Sequence, residues 1–263
     1  MQRRLVPLAA AVLWLSGSGV ASAQMTGNVE RLKADLHGEN LDAAVAAASA
    51  LGSLKDDALA RDALMGGLQL GAPPKLLGAL LEALGLHKSP KAVDLLRHYV
   101  RYRSPEIRET AIRALGAIED PRVPLTLIEA LGDSHPMPRA RAARILGERK
   151  ERRAERPLLK MLRRGDGAAA GPLGQVGGVE TAKQLAELIG DVPDRPLAVA
   201  LGEMLKRKDF GPDPLRTEVV KALGRIPGPD AATALSEYVA SVPEKETRLS
   251  KQQAEKLLEQ RKK

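Results

Sequence analysis

Arginine is the residue whose placement points most directly to chemistry. Between Arg139 and Arg164 the chain carries eleven basic residues against three acids, Glu148, Glu151 and Glu155. Arg153, Arg156, Lys160 and Arg163 recur at i, i+3, i+7 and i+10, a spacing that puts all four on one face of a helix. Arg164 adjoins them, and Arg97 with Arg101 forms a shorter pair earlier in the chain. A guanidinium offers a planar fork of donors that can hold a carboxylate or phosphate through two parallel hydrogen bonds. The chemistry on offer is therefore anion binding, to an acidic protein segment, a lipid headgroup or a polysaccharide. The same pattern also arises when an arginine-rich helix turns a charged face to water.

Catalytic constellations are much harder to assemble. His37, His87, His98 and His135 are scattered, and none is followed by Glu. The glycine-rich run at 165–178 lacks the preceding strand and the Lys-Ser/Thr ending that a phosphate-cradling loop needs. Asp56 and Asp57 fall at a helix start, where they complement the helix dipole. Cysteine is absent, which excludes disulfides, thiolate metal sites and a cysteine nucleophile. These residues give no catalytic group, no metal and no cofactor, and the expectation is a protein that is not an enzyme.

The elements that must carry the arginines are helices. Ala, Leu and Arg dominate the composition and lose little side-chain freedom in a helix. Only 2% of the residues are aromatic, and no alternating run of strand-forming residues occurs, so the fold class is all-α. A Leu-Gly pair then recurs at Leu51-Gly52, Leu84-Gly85, Leu115-Gly116, Leu146-Gly147, Leu173-Gly174, Leu201-Gly202 and Leu223-Gly224. Steps of about 30 residues are those of a two-helix repeat, but the last step is only 22 residues. Arg108 to Ile118 parallels Arg216 to Ile226 position by position, and Ala114 to Asp133 parallels Pro172 to Asp191.

Each repeat reads as helix, turn, helix. Ser104-Pro105 supplies a cap and a proline at the first helical position, where a missing N–H costs nothing. Asp120-Pro121, Ser89-Pro90 and Asp213-Pro214 read as copies of that device. Ile107, Ala111, Ile112, Ala114 and Leu115 form an apolar face. Gly116 falls on the tightly packed side, where a side chain would hold neighbouring helices apart. One helix pair cannot bury such a face, whereas a stack can.

The Pro-x-x-Arg…Ala-Leu-Gly…Asp-Pro…Leu…Leu pattern from Pro105 to Leu131, with its copies over residues 38–241, resembles the HEAT-repeat family, in particular short bacterial variants related to the repeats of phycobilisome lyases. That resemblance implies an α-solenoid, a superhelix of antiparallel helix pairs, with second helices lining the concave surface and the Arg153, Arg156, Lys160 and Arg163 stripe, on the second helix of the fourth repeat, inside the groove. It also brings in a bilin-type attachment lyase as one alternative function. HEAT-like metal hydroxylases hold iron with His-Glu pairs, which this chain lacks, and HEAT-like DNA glycosylases need aromatic base-stacking residues that are scarce here. Two stretches depart from the pattern. Residues 165–178 read as a weak first helix. Residues 194–226 hold two consecutive helices ending in Ala-Leu-Gly, so either a second helix is missing or one repeat has three.

The N-terminus has the layout of a secretory signal: Arg3 and Arg4, the apolar stretch Leu5 to Leu15, and Ala21-Ser22-Ala23 as a cleavage site. The expected organisation is a signal peptide at 1–23, a flexible segment at 24–37, about six repeats at 38–241, and a polar helix with a free basic tail at 242–263. Net charge is +8, and losing Arg3 and Arg4 leaves +6, a modest bias toward anionic partners. The reading is a monomeric, exported scaffold, periplasmic or secreted, that binds a protein partner through Arg97, Arg101, Arg153, Arg156, Lys160, Arg163 and Arg164. It has no transmembrane segment after cleavage and no nucleic-acid partner. A periplasmic assembly or maturation factor for an enzyme is the other alternative.

Overall fold

Helix starts are written into the chain by short polar caps. Asn40 accepts the N–H groups of Asp42 and Ala43 at 3.0 and 3.1 Å, and Asp57 accepts those of Leu59 and Ala60 at 2.8 and 3.1 Å. The structure, a computed structural model, describes residues 27–262. The signal segment and its cleavage site lie outside the described residues. Fifteen helices follow one another among the described residues, with no strand.

The chain divides into two compact units, one ending at Asp120 and the other beginning at Pro121. The first contains α1 (27–36), α2 (Leu41–Ser53), α3 (Ala58–Leu70), α4 (Pro74–His87), α5 (Val93–Tyr99) and α6 (Pro105–Gly116). Alternate helices stack: α4 lies against both α2 and α6, while α3 and α5 form a second layer. The Leu-Gly pairs explain how closely they stack. A Cβ on Gly52 would lie 2.8 Å from the Cα and Cβ of Ala83, and one on Gly85 would lie 3.0 Å from the Cα of Ala114. Glycine at these positions lets first-layer backbones meet almost directly. Residues 27–36 belong to the expected flexible segment but are helical, because Val29 and Leu36 are buried, Leu36 against Gly67.

The second unit holds α7 (Val123–Ala130), α8 (Pro136–Glu148), α9 (Glu155–Arg163), α10 (Ala170–Val176), α11 (Val179–Glu187), α12 (Asp194–Lys206), α13 (Asp213–Arg225), α14 (Pro229–Ser241) and α15 (Leu249–Lys262). Here α8, α10, α12 and α14 stack in one layer, and α13 lies against α11 and α15 in the other. The close-approach device persists: a Cβ on Gly174 would lie 2.7 Å from the Ala200 carbonyl oxygen, and one on Gly202 would lie 2.9 Å from the Cβ of Ala234. The glycine-rich run folds as a 3-10 turn, Gly167–Ala169, leading into the short helix α10, whose Leu173 is fully buried.

Residues 194–226 follow neither reading the sequence left open. No helix is missing and no repeat has three. Although α13 repeats the string of α6, it serves as a second helix, and α14 supplies the next first-layer helix. The Ala-Leu-Gly of α13 meets the same packing need in the other layer, since a Cβ on Gly224 would lie 2.9 Å from Leu257 Cδ1.

Some expected caps differ as well. Asp120-Pro121 precedes α7, which starts at Val123, and Asp213 does not cap its own helix. Its carboxylate instead accepts from the hydroxyl and, at 3.3 Å, from the N–H of Ser250, and that hydroxyl also meets Tyr238 Oη at 2.5 Å. This chain, buried at Tyr238 and Ser250, fastens α15 to α13 and α14. Arg261, expected in a free tail, donates to the carbonyls of Leu223, Gly224, Ile226 and Gly228 at 2.5–3.2 Å, so it closes the end of α13. No helix among the described residues is long and apolar enough to cross a membrane.

Candidate anion-binding face

Several arginines are consumed by the fold. Arg108 donates to the carbonyls of Tyr102 and Arg103, at 3.0 and 3.2 Å. Arg139 does the same to Asp133 and Ser134 at 2.9 and 3.1 Å, and it also bonds Asp166 at 2.8 Å. The arginine of the Pro-x-x-Arg motif thus reaches back to satisfy carbonyls of the loop before its helix. Arg216 carries this furthest. It is only 4% exposed, and its guanidinium donates to Leu205, Arg207 and Gly211 carbonyls at 2.6, 2.6 and 3.1 Å, beside the Phe210 ring. Arg207 in turn donates to Gly174 and Gly177 carbonyls and pairs with Asp209.

The predicted binding residues sort against that background. Arg153 precedes α9, in a 3-10 turn at Arg152–Ala154, and clamps Glu151 through two bonds of 2.8 Å. Those bonds hold the Glu151 carboxyl below the usual carboxylate range and raise the Arg153 guanidinium. Arg153 therefore does not join the free stripe, because the acid two residues before it neutralises its fork. Arg97 stands on α5 in the first unit, with Asp94 at 3.6 Å, and Arg101 follows in the turn after that helix. Neither shares an element with the remaining residues.

Arg156, Lys160, Arg163 and Arg164 do come together. They follow one another along α9 and its C-cap, all exposed, and no carboxylate among the described residues lies within ion-pairing distance of them. Glu155 could have neutralised them, but it is spent elsewhere: its carboxylate accepts the Gly178 N–H at 2.9 Å and the Thr181 hydroxyl, capping α11. The opposite face of α9 buries Leu158, Leu159, Met161 and Leu162, which fixes the helix so that its cations face solvent.

Beside them lies a cleft of about 430 Å³. Its walls come from the end of α7 and the turn after it (Ile128, Glu129, Leu131, Gly132, Asp133) and from Pro157, Lys160, Met161 and Arg164 of the α9 segment, together with Arg139 and Asp166. Sequence spacing gave the stripe but not the cleft, whose α7 wall comes from a helix about 30 residues earlier.

The family pattern for HEAT repeats matches residues 62–136 and 124–206, more than half of the chain. The chain belongs to the HEAT-repeat family. Its HEAT repeats thus include α9 and both walls of the cleft. No curated protein matches the sequence. Among solved structures, the complex of CpcE and CpcF of phycocyanin lyase from Nostoc sp. PCC7120 is 20% identical, covering 88% of this chain and 94% of that chain, with a TM-score of 0.48. An engineered protein is 18% identical over 89% of this chain and 68% of its own, TM-score 0.45. Human deoxyhypusine hydroxylase in complex with glycerol is 21% identical over 88% of this chain and 83% of its own, TM-score 0.32.

The histidines of this HEAT protein are dispersed. His87 Nε2 meets the Leu51 carbonyl at 3.0 Å, His135 accepts the Met137 N–H at 3.3 Å as a cap of α8, and His98 stands edge-on to Tyr99. No group of three or more potential metal ligands occurs among the described residues.

Proposed function

We propose that this HEAT-repeat protein is a binding scaffold that holds an acidic protein segment along α9, acting by docking rather than by catalysis. One observation supports the reading above the rest. Arg156, Lys160, Arg163 and Arg164 present four adjacent cations to solvent while the acids of the same segment, Glu151 and Glu155, are occupied by Arg153 and by α11. An uncompensated stripe of this kind attracts carboxylates and speeds their association. Arg153, Arg97 and Arg101 are not part of it.

The signal-like residues 1–23 support export to a bacterial envelope or beyond, which N-terminal sequencing of the protein recovered from its host would test by finding Gln24 first. Binding is tested by titrating a fluorescein-labelled, glutamate-rich peptide into the protein and into an Arg156→Glu/Lys160→Glu/Arg163→Glu variant. The wild type should bind, more weakly as salt rises, and the variant should lose at least about tenfold, the equivalent of 1.4 kcal/mol. Equal affinity for both proteins sinks the reading.

A further inference from the structure

The last helix is attached differently from the helices that carry it. α13 and α14 bury Val219, Val220, Leu223 and Leu235. α15 buries nothing comparable. From 249 to 261 only Ser250 and Ala254 are buried, Leu257 and Leu258 are half-buried, and Leu249 is 67% exposed. Polar contacts supply much of the attachment, and on release water takes their place, so each contributes little net stability. α15 therefore opens at a lower cost than the stack beneath it.

The contacts that hold it fall at i, i+4, i+7 and i+11, one face of a helix. Ser250 gives its hydroxyl and, at 3.3 Å, its N–H to the Asp213 carboxylate, and its hydroxyl meets Tyr238 Oη at 2.5 Å. Ala254 is fully buried. Leu257 lies over Gly224, where a Cβ would come within 2.9 Å of its Cδ1. Arg261 donates to the Ile226 and Gly228 carbonyls at 2.5 and 2.9 Å. The seat on α13 and α14 thus reads a hydroxyl, a leucine and a guanidinium along one helix, as grooves that bind helices do. The tether to it is exposed: α14 ends at Ser241, α15 begins at Leu249, and every residue from Pro243 to Thr247 faces solvent. Extended, residues 242–248 reach up to about 25 Å.

A second copy of the chain carries the same helix on the same tether. We propose that this seat takes the α15 of a second copy, two copies exchanging their last helices reciprocally. Both seats are then filled, and the pair closes on a two-fold axis through contacts that the single copy already makes. The resident α15 competes at the roughly millimolar effective concentration of a short tether, so exchange grows as the protein approaches that concentration. This inference is independent of the α9 stripe.

A fluorescein-labelled peptide of residues 249–262 stands in for the incoming helix and is titrated into full-length protein by fluorescence anisotropy. Ser250→Ala/Arg261→Ala loosens the resident helix and leaves the seat intact, so this variant should bind the peptide at least about tenfold more tightly than the wild type. Ser250→Ala alone should show a smaller gain, and circular dichroism confirms that both variants are folded. A peptide carrying Ser250→Ala should bind the loosened protein more weakly than the natural peptide, and adding Asp213→Ala to that protein should abolish the preference. Sedimentation equilibrium of the wild type should show a dimer that grows toward roughly millimolar concentration and dissociates when unlabelled peptide is added in excess. Failure of both loosened variants to bind the peptide overturns the seat as a site for an incoming helix. A wild type that stays monomeric up to that concentration, or a dimer that excess peptide leaves intact, overturns exchange with a second copy.

Discussion

Gly52 and Gly78 lie in successive first-layer helices of the same compact unit, yet alanine should act on them in opposite directions. A Cβ on Gly52 would come within 2.8 Å of both Cα and Cβ of Ala83, a backbone atom and a side chain that cannot rotate away. A Cβ on Gly78, in the middle of α4, would meet nothing within 4 Å. Alanine gains up to about 1 kcal/mol over glycine in a helix interior at either site. Overpacking at Gly52 costs about 1–3 kcal/mol, so there the gain is cancelled or reversed. The difference between the two variants therefore isolates the steric cost, about 1–3 kcal/mol. With a urea slope of about 2 kcal/mol per molar, the midpoints should separate by about 0.5–1.5 M, with Gly78→Ala the higher. Urea unfolding followed by circular dichroism at the helical band reads this directly. If Gly52→Ala stabilises as much as Gly78→Ala, the claim that glycine is there to bring α2 against α4 is refuted.

Two further perturbations probe the arginines. Arg216→Lys should destabilise the second unit by about 2–4 kcal/mol, because one ammonium cannot reach the Leu205, Arg207 and Gly211 carbonyls and each buried group left unpaired costs about 1–3 kcal/mol; a urea-measured loss below about 1 kcal/mol would contradict the assigned role. Arg153→Ala should leave peptide binding within about twofold, a change of under 1 kcal/mol, and should remove an acid-sensitive increment of stability. Since Arg153 holds Glu151 below its ordinary value, that increment is present at neutral pH and is lost as pH falls through about 4 and past the lowered folded value. The wild-type advantage over Arg153→Ala in urea midpoint should thus shrink between pH 7 and pH 3, and an advantage that grows on acidification would reverse the assignment.

The layering was legible from residues that do one thing wherever they occur. Leu-Gly marked the side of close approach because only glycine permits a backbone to come within contact distance, and the structure places Ala83, Ala114 and Ala234 at those points. The layer of α13 was not legible, because its string matches α6 and only its neighbours α11 and α15 decide where it packs. At α9, spacing grouped Arg153 with Arg156, Lys160 and Arg163, whereas the structure puts only the last three on the helix. The i, i+3 relation treats a helix as already begun, whereas Glu151 holds Arg153 in the preceding 3-10 turn. Arg261 was misread as tail for a related reason. A terminal basic residue looks solvated in sequence, and the open carbonyls at the end of α13 become visible only in three dimensions.

The double life of the α6-like string bears on how such a chain changes length. In a strictly paired array, gain or loss of a single helix moves every later helix to the opposite layer, where its small and large residues face the wrong neighbours. The α13 copy of the string packs in the second layer, where its Gly224 meets Leu257, so the string is not bound to the first layer and withstands that shift. The array around α13 is thereby freed from counting in twos: its natural increment can be one helix, and a junction tolerant of odd numbers is where a designer would cut, splice or extend it.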